Sequence, residues 1–87
     1  MQTEKECYIT GSTENLHKHH VFYGINRQNS EKWGCWVWLR ADWHNMSDHG
    51  VHFDRELDLS IKRECQREFE NRYGHDAFMR IFGRNYL

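Results

Sequence analysis

Leu16-His17-Lys18-His19-His20-Val21-Phe22-Tyr23-Gly24, followed after a polar interval by Trp36-Val37-Trp38-Leu39, is the stretch from which the fold is read. Both runs contain the aromatic and β-branched residues that pack well on a pleated surface, and a glycine stops the first. The spacing predicts a strand over 16–23, a loop from Asn26 to Lys32 and a second strand from Trp36 to Leu39. Side chains alternate across a strand, so His17 and His19 share one face while His20 points the other way. Neighbouring imidazoles thereby become available for different work.

Outward to the N-terminal side, Cys7-Tyr8-Ile9-Thr10-Gly11-Ser12 is a short apolar run ended by Gly and Ser, which predicts a strand pairing with 16–23 as a hairpin. On the other side, Asp42 is placed to cap a short helix ending near Gly50. From Asp54 the pattern changes, with Leu57, Ile61, Cys65, Phe69 and Tyr73 recurring at every fourth position. This predicts a long amphipathic helix with Asp54 as N-cap, Gly74 as stop and Cys65 in the core. The intervening acids and bases, among them Asp58, Lys62, Glu64, Arg67 and Arg72, read as a solvated surface. Asp76 is placed to cap a last short helix through Ala77, Phe78, Ile81 and Phe82, closed by Gly83, with its rings folded back over the long helix. There is no repeat, low-complexity tract or proline, so residues 1–87 read as one α+β domain.

A chain of 87 residues with 38% hydrophobic but 15% aromatic content must build its core from a few large rings, and a domain this small gains from a metal or another staple. Cys7, Cys35 and Cys65 are an odd number without disulfide-like spacing, and no apolar segment follows the charged residues 1–6, which points to a reducing, cytoplasmic setting. No run approaches the ~20 apolar residues of a membrane span. Twelve Lys and Arg against thirteen Asp and Glu leave a formal charge of -1, which weighs against a protein that grips duplex DNA through its phosphates.

The compositional anomaly is histidine: six of the seven fall between Leu16 and Phe53, in a segment that also holds all four tryptophans. His17, His19 and His20 lie on the first strand; His44, Asn45, Asp48, His49 and His52 follow the second, with His44 and Asp48 four apart and therefore on one side of a helix. Joined, the two groups would supply three or four N and O donors, a set that suits zinc in a tetrahedral array. His75 and His17 read as hydrogen-bonded surface residues. Trp33, Trp36 and Trp38 read as core or as the shell around the site.

Leu16-His17-Lys18-His19-His20-Val21-Phe22, Ser30-Glu31-Lys32-Trp33-Gly34, Trp36-Val37-Trp38-Leu39, His44-Asn45, His49-Gly50-Val51-His52-Phe53 and the closing Arg84-Asn85-Tyr86-Leu87 together resemble the small HNH-type endonuclease proteins of bacteriophages of Gram-positive hosts. The resemblance spans nearly the whole chain. It implies a ββα-metal finger followed by the long amphipathic helix and the short C-terminal helix. It also implies His20 as general base, and His19 and His44 as ligands of a divalent metal such as Zn2+. A further ligand would come from Asp48, His49 or His52, the His49–His52 pair being favoured, so the expected metal set is His19, His44, His49 and His52. Relatives of that kind carry a second, structural zinc site, of whose positions Cys7 keeps a cysteine while Thr10, Arg40 and Trp43 stand at the others. That departure predicts no zinc there, with Trp43 filling the space.

Two functions follow as expectations. One is a metal-dependent HNH endonuclease that cleaves DNA with His20 as base. The other, favoured by the charge balance and the missing zinc ligands, is a phage-encoded zinc-binding protein repurposed to bind another protein. Its partner would be a CRISPR effector, a type II RNA-guided DNA nuclease of host defence, blocked in DNA loading or cleavage, as anti-CRISPR inhibitors do.

Overall fold

The histidine-bearing and tryptophan-bearing runs pair with each other. In the computed structural model, which describes residues 1–43 and 54–87, β1 (Leu16–His20) lies antiparallel to β2 (Trp36–Arg40). His17 stands opposite Leu39, Lys18 opposite Trp38, His19 opposite Val37 and His20 opposite Trp36. A two-residue period can bury only one set of side chains. Val37 and Leu39 are that set, fully enclosed together with His19, whereas Trp36 and Trp38 are half-buried on the outer face beside Lys18 and His20. Of the two places expected for the tryptophans, core or the shell around the site, the core holds only for Trp33, which packs against the core cluster; Trp36 and Trp38 do not.

β1 stops at His20 rather than running to Tyr23. Val21 still donates to the Cys35 carbonyl at 2.9 Å, but Phe22 leaves the ladder, because the Ser30 hydroxyl accepts from its N–H at 3.0 Å and donates to its carbonyl at 2.6 Å. The polar interval expected as a loop is helical: a 3-10 turn over Gly24–Asn26 leads into α1 (Arg27–Lys32). The Asn26 and Asn29 amides donate to the Phe82 and Ile81 carbonyls, so the segment is anchored through polar bonds that hydrophobic periodicity does not register.

Residues 7–12 form a turn, not a strand of a hairpin with β1. Gly11 N–H returns to the Cys7 carbonyl at 2.9 Å and Cys7 N–H to the Ser12 carbonyl at 2.7 Å, with Gly11 at φ +77°. The turn lies against the outer edge of β2, where Tyr8 N–H donates to the Trp38 carbonyl at 2.8 Å.

α2 (Arg55–Tyr73) begins where the sequence placed it, the Asp54 carboxylate accepting from Leu57 N–H at 3.0 Å. Ile61, Cys65 and Phe69 are buried as their spacing predicts. The supposedly solvated faces need correction, since Asp58, Lys62 and Gln66 are buried too. The Lys62 ammonium is 2.8 Å from Asp58 Oδ2, to which the Tyr23 hydroxyl donates at 2.9 Å, while Gln66 bonds Glu70, Asn85 and the Tyr86 N–H. α3 (His75–Phe82) is capped by Gly74 and not by Asp76, which lies in its first turn. Gly74 at φ 89°, ψ 162° turns the chain so sharply that α3 starts two residues early, and Gly83 in the left-handed region closes it.

The core joins hairpin and helices through rings. Phe22 packs against Phe78, Phe82 and Tyr86 at centroid separations of 4.6–5.4 Å, and Phe69 against Phe78 and Phe82 at 5.6 and 5.8 Å. Val21, Val37, Leu39, Ile61 and the three cysteines fill the space between. The result is a small α+β fold: hairpin, short helix, long helix and short C-terminal helix. No helix among the described residues is long and apolar enough to cross a membrane.

Candidate functional site

The pairing of β1 with β2 assigns the strand histidines to different environments. His17 is exposed at the rim of a cleft with Ser12, Glu14 and Asp42. His19 is 2% exposed on the inner face, its ring centroid 6.2 Å from that of Tyr23. A buried imidazole is the kind of nitrogen donor zinc takes, so the position fits a ligand role. His44, His49 and His52, with Asp48 and the body of the helix expected to end near Gly50, lie outside the described residues. Among the described residues no three His, Cys, Asp or Glu side chains are grouped to hold a metal, and His19 is the one described member of the expected set.

His20 lies on the outer face. Its Nε2 is 2.7 Å from Glu31 Oε2 on α1, and the Lys18 ammonium is 3.2 and 3.4 Å from the two oxygens of the same carboxylate. The bond to His20, and then that to Lys18, holds the Glu31 carboxyl below the usual range. These side chains, with Arg27 and Gln28, line a depression of about 350 Å³. Lys18 also caps the Trp36 ring at 4.2 Å and Lys5 the Trp38 ring at 4.7 Å, while the two indoles meet edge to face at 5.5 Å. The outer face is therefore a platform of two tryptophans with cations seated on it.

Cys7 is buried, and its sulfur accepts from Thr10 N–H at 3.4 Å and Arg40 N–H at 3.3 Å, which ties the turn to the end of β2. Burial pushes its thiol up, but the Thr10 hydroxyl and the Arg40, Thr10 and Ile9 amides outweigh burial, leaving its pKa below the ordinary value. Trp43, at the far position of that would-be zinc site, is half-buried, and residues 41–43 are helical, so Asp42 does not precede the helix as its cap.

Glu31 stands in a polar stretch without hydrophobic periodicity, which hides its role in the sequence although residues 30–34 belong to the resembling motifs. The ion pair of Asp58 and Lys62 beneath Tyr23 is hidden too; the i,i+4 spacing of Asp58 and Lys62 was the available signal. Compared with protein-family models, curated proteins and solved structures, the chain matches none.

Proposed function

We propose that this chain is a zinc-binding, HNH-like protein of the ββα-metal type that acts by binding a protein, an RNA-guided nuclease of bacteriophage host defence, and inhibiting it. The resemblance of the quoted motifs supports the class. The observation that carries the binding role is the outer hairpin face, where Trp36 and Trp38 stand outside the core beneath Lys18 and Lys5. Tryptophans rimmed by polar and charged groups are the residues on which protein interfaces concentrate their binding energy. The formal charge of -1 supports a protein target over bare DNA. His19 with His44 and His49 or His52 would hold the metal. When bound, zinc supplies folding free energy to such a domain.

A second reading, the active endonuclease, is favoured by one observation: a carboxylate bonded to one ring nitrogen of His20 is how a catalytic imidazole is oriented. One set of measurements separates them. Protein purified without chelator is analysed for zinc, incubated with plasmid and magnesium or manganese, and added to RNA-guided nucleases during target cleavage. The binder reading expects bound zinc, no nicking, and inhibition that survives His20→Ala but is lost in Trp36→Ala/Trp38→Ala at unchanged zinc content. Metal-dependent nicking abolished by His20→Ala would replace it with the endonuclease. Unchanged zinc content and melting temperature in His44→Ala would remove the metal from both.

A further inference from the structure

The depression of about 350 Å³ between β1 and α1 holds more positive than negative charge. Its carboxylate, Glu31, is already bonded twice, by the Lys18 ammonium at 3.2 Å and by His20 Nε2 at 2.7 Å. Arg27, at the start of α1, lines the same depression, is exposed, and has no carboxylate partner among the described residues. Lys18 joins the depression to the tryptophans, since its ammonium also lies 4.2 Å from the Trp36 ring, and Lys5 is seated on Trp38 farther along the platform. Glu4 and Glu6 flank Lys5 in the chain, so the excess of positive charge lies at the Arg27 end. A protein of formal charge -1 therefore carries its binding tryptophans beside an unneutralised guanidinium.

We propose that this face takes an acidic segment of its protein partner, with an Asp or Glu carboxylate of that segment on the Arg27 guanidinium and the adjoining residues against Trp36 and Trp38; this rests on the protein-binding role inferred above for the same face. The planar guanidinium matches a carboxylate through two parallel N–H bonds, and an exposed one is free to make them. Glu31 narrows the choice of anion. Fixed in the depression by Lys18 and His20, it repels further negative charge placed beside it, so the face accepts separate carboxylates on the Arg27 side and disfavours a continuous run of phosphates. The rings select in the same direction. Lys18 and Lys5 already cover a face of each indole on which a nucleobase would stack, whereas a peptide needs only the apolar area around them.

The test is an NMR titration of the isotope-labelled full chain, followed through the indole N–H and Arg27 side-chain N–H signals, with hexaglutamate, hexalysine and hexathymidylate as probes. The expected result is saturable shifts at Trp36, Trp38 and Arg27 with hexaglutamate alone, weakening as salt screens the charges, and binding about tenfold weaker in Arg27→Glu. Arg27→Gln takes its place if the reversed charge unsettles α1. The acidic segment is overturned by the absence of saturable shifts, by shifts centred away from this face, by hexathymidylate binding as tightly as hexaglutamate, or by unchanged binding in the Arg27 variants. The binding role fails separately. Nuclease inhibition lost in Trp36→Ala/Trp38→Ala but kept in Arg27→Glu refutes the acidic segment and leaves that role standing, whereas a chain that binds hexaglutamate as expected yet inhibits no RNA-guided nuclease keeps the acidic segment and loses the nuclease as its partner.

Discussion

Replacing Ser30 with alanine removes a single oxygen, yet should cost a large share of the stability of this fold. Ser30 is fully buried and Phe22 is 1% exposed, so water cannot reach the Phe22 N–H and carbonyl that the hydroxyl now satisfies. Leaving a buried polar group without a partner costs about 1–3 kcal/mol, and relaxation recovers part when two neighbours are affected, so the pair amounts to ~2–4 kcal/mol. A domain of 87 residues is stable by roughly 4–13 kcal/mol. With an unfolding entropy of about 2.1 cal/mol/K per residue, the loss lowers Tm by roughly 10–20 °C. Urea unfolding followed by tryptophan fluorescence and circular dichroism gives the midpoint and slope, with the slope expected to stay unchanged. A loss under ~0.5 kcal/mol at unchanged slope would refute the claim that Ser30 replaces the strand ladder at Phe22. The bond also sets α1 against β1, so the variant should loosen the contact between His20 and Glu31, read as a rise of the Glu31 titration midpoint toward the ordinary carboxylate value.

The Glu31 carboxyl itself should titrate below the usual glutamate range in the wild type, and closer to it in His20→Ala, by carbon-detected NMR. Because its folded pKa is depressed, the contact stabilises the protein above the unfolded glutamate pKa and is lost as pH falls through the lower, folded value; a midpoint at or above the ordinary value removes that pH dependence. Lys62→Ala should destabilise by about 3–5 kcal/mol because it leaves the buried Asp58 carboxylate without a countercharge, with only the Tyr23 hydroxyl bonded to it, whereas Asp58→Asn/Lys62→Met should recover most of the loss in urea unfolding. Equal losses in the two variants would show that the charge pair is not the cause. Gly74→Ala should cost about 1–3 kcal/mol, since φ 89°, ψ 162° is a glycine conformation and the added methyl meets open space, so that the whole effect is conformational.

The sequence made those elements readable whose burial follows a period. Leu57, Ile61, Cys65 and Phe69 disclose α2 and its inner face, and Asp54, Gly74 and Gly83 mark helix ends. α1 escaped because its one buried residue is a serine and its anchors are asparagine amides bonded to distant carbonyls. The alternation in β2 was legible, but not which set faces inward; that depends on the aromatic cluster meeting Val37 and Leu39, a tertiary fact. Asp58 and Lys62 looked like surface charge because a buried ion pair and an exposed one have the same spacing. At the candidate site, the division between His19 and His20 followed from strand geometry alone, while Glu31 could be seen only once α1 was known to fold over β1.

A sheet of two strands has open edges, and one of them carries the tryptophans. Here the N-terminal residues close it without becoming a strand: the Gln2 side chain accepts from Trp38 N–H at 2.6 Å, Tyr8 N–H donates to the Trp38 carbonyl, and the Cys7 sulfur takes Arg40 N–H. Edge strands left bare recruit other strands, and an aromatic edge does so readily. Residues 2–8 thus act as a guard against self-association. A truncation past Cys7 would turn the outer margin of β2 into a template for aggregation, even though every residue of the hairpin and its histidines remained in place.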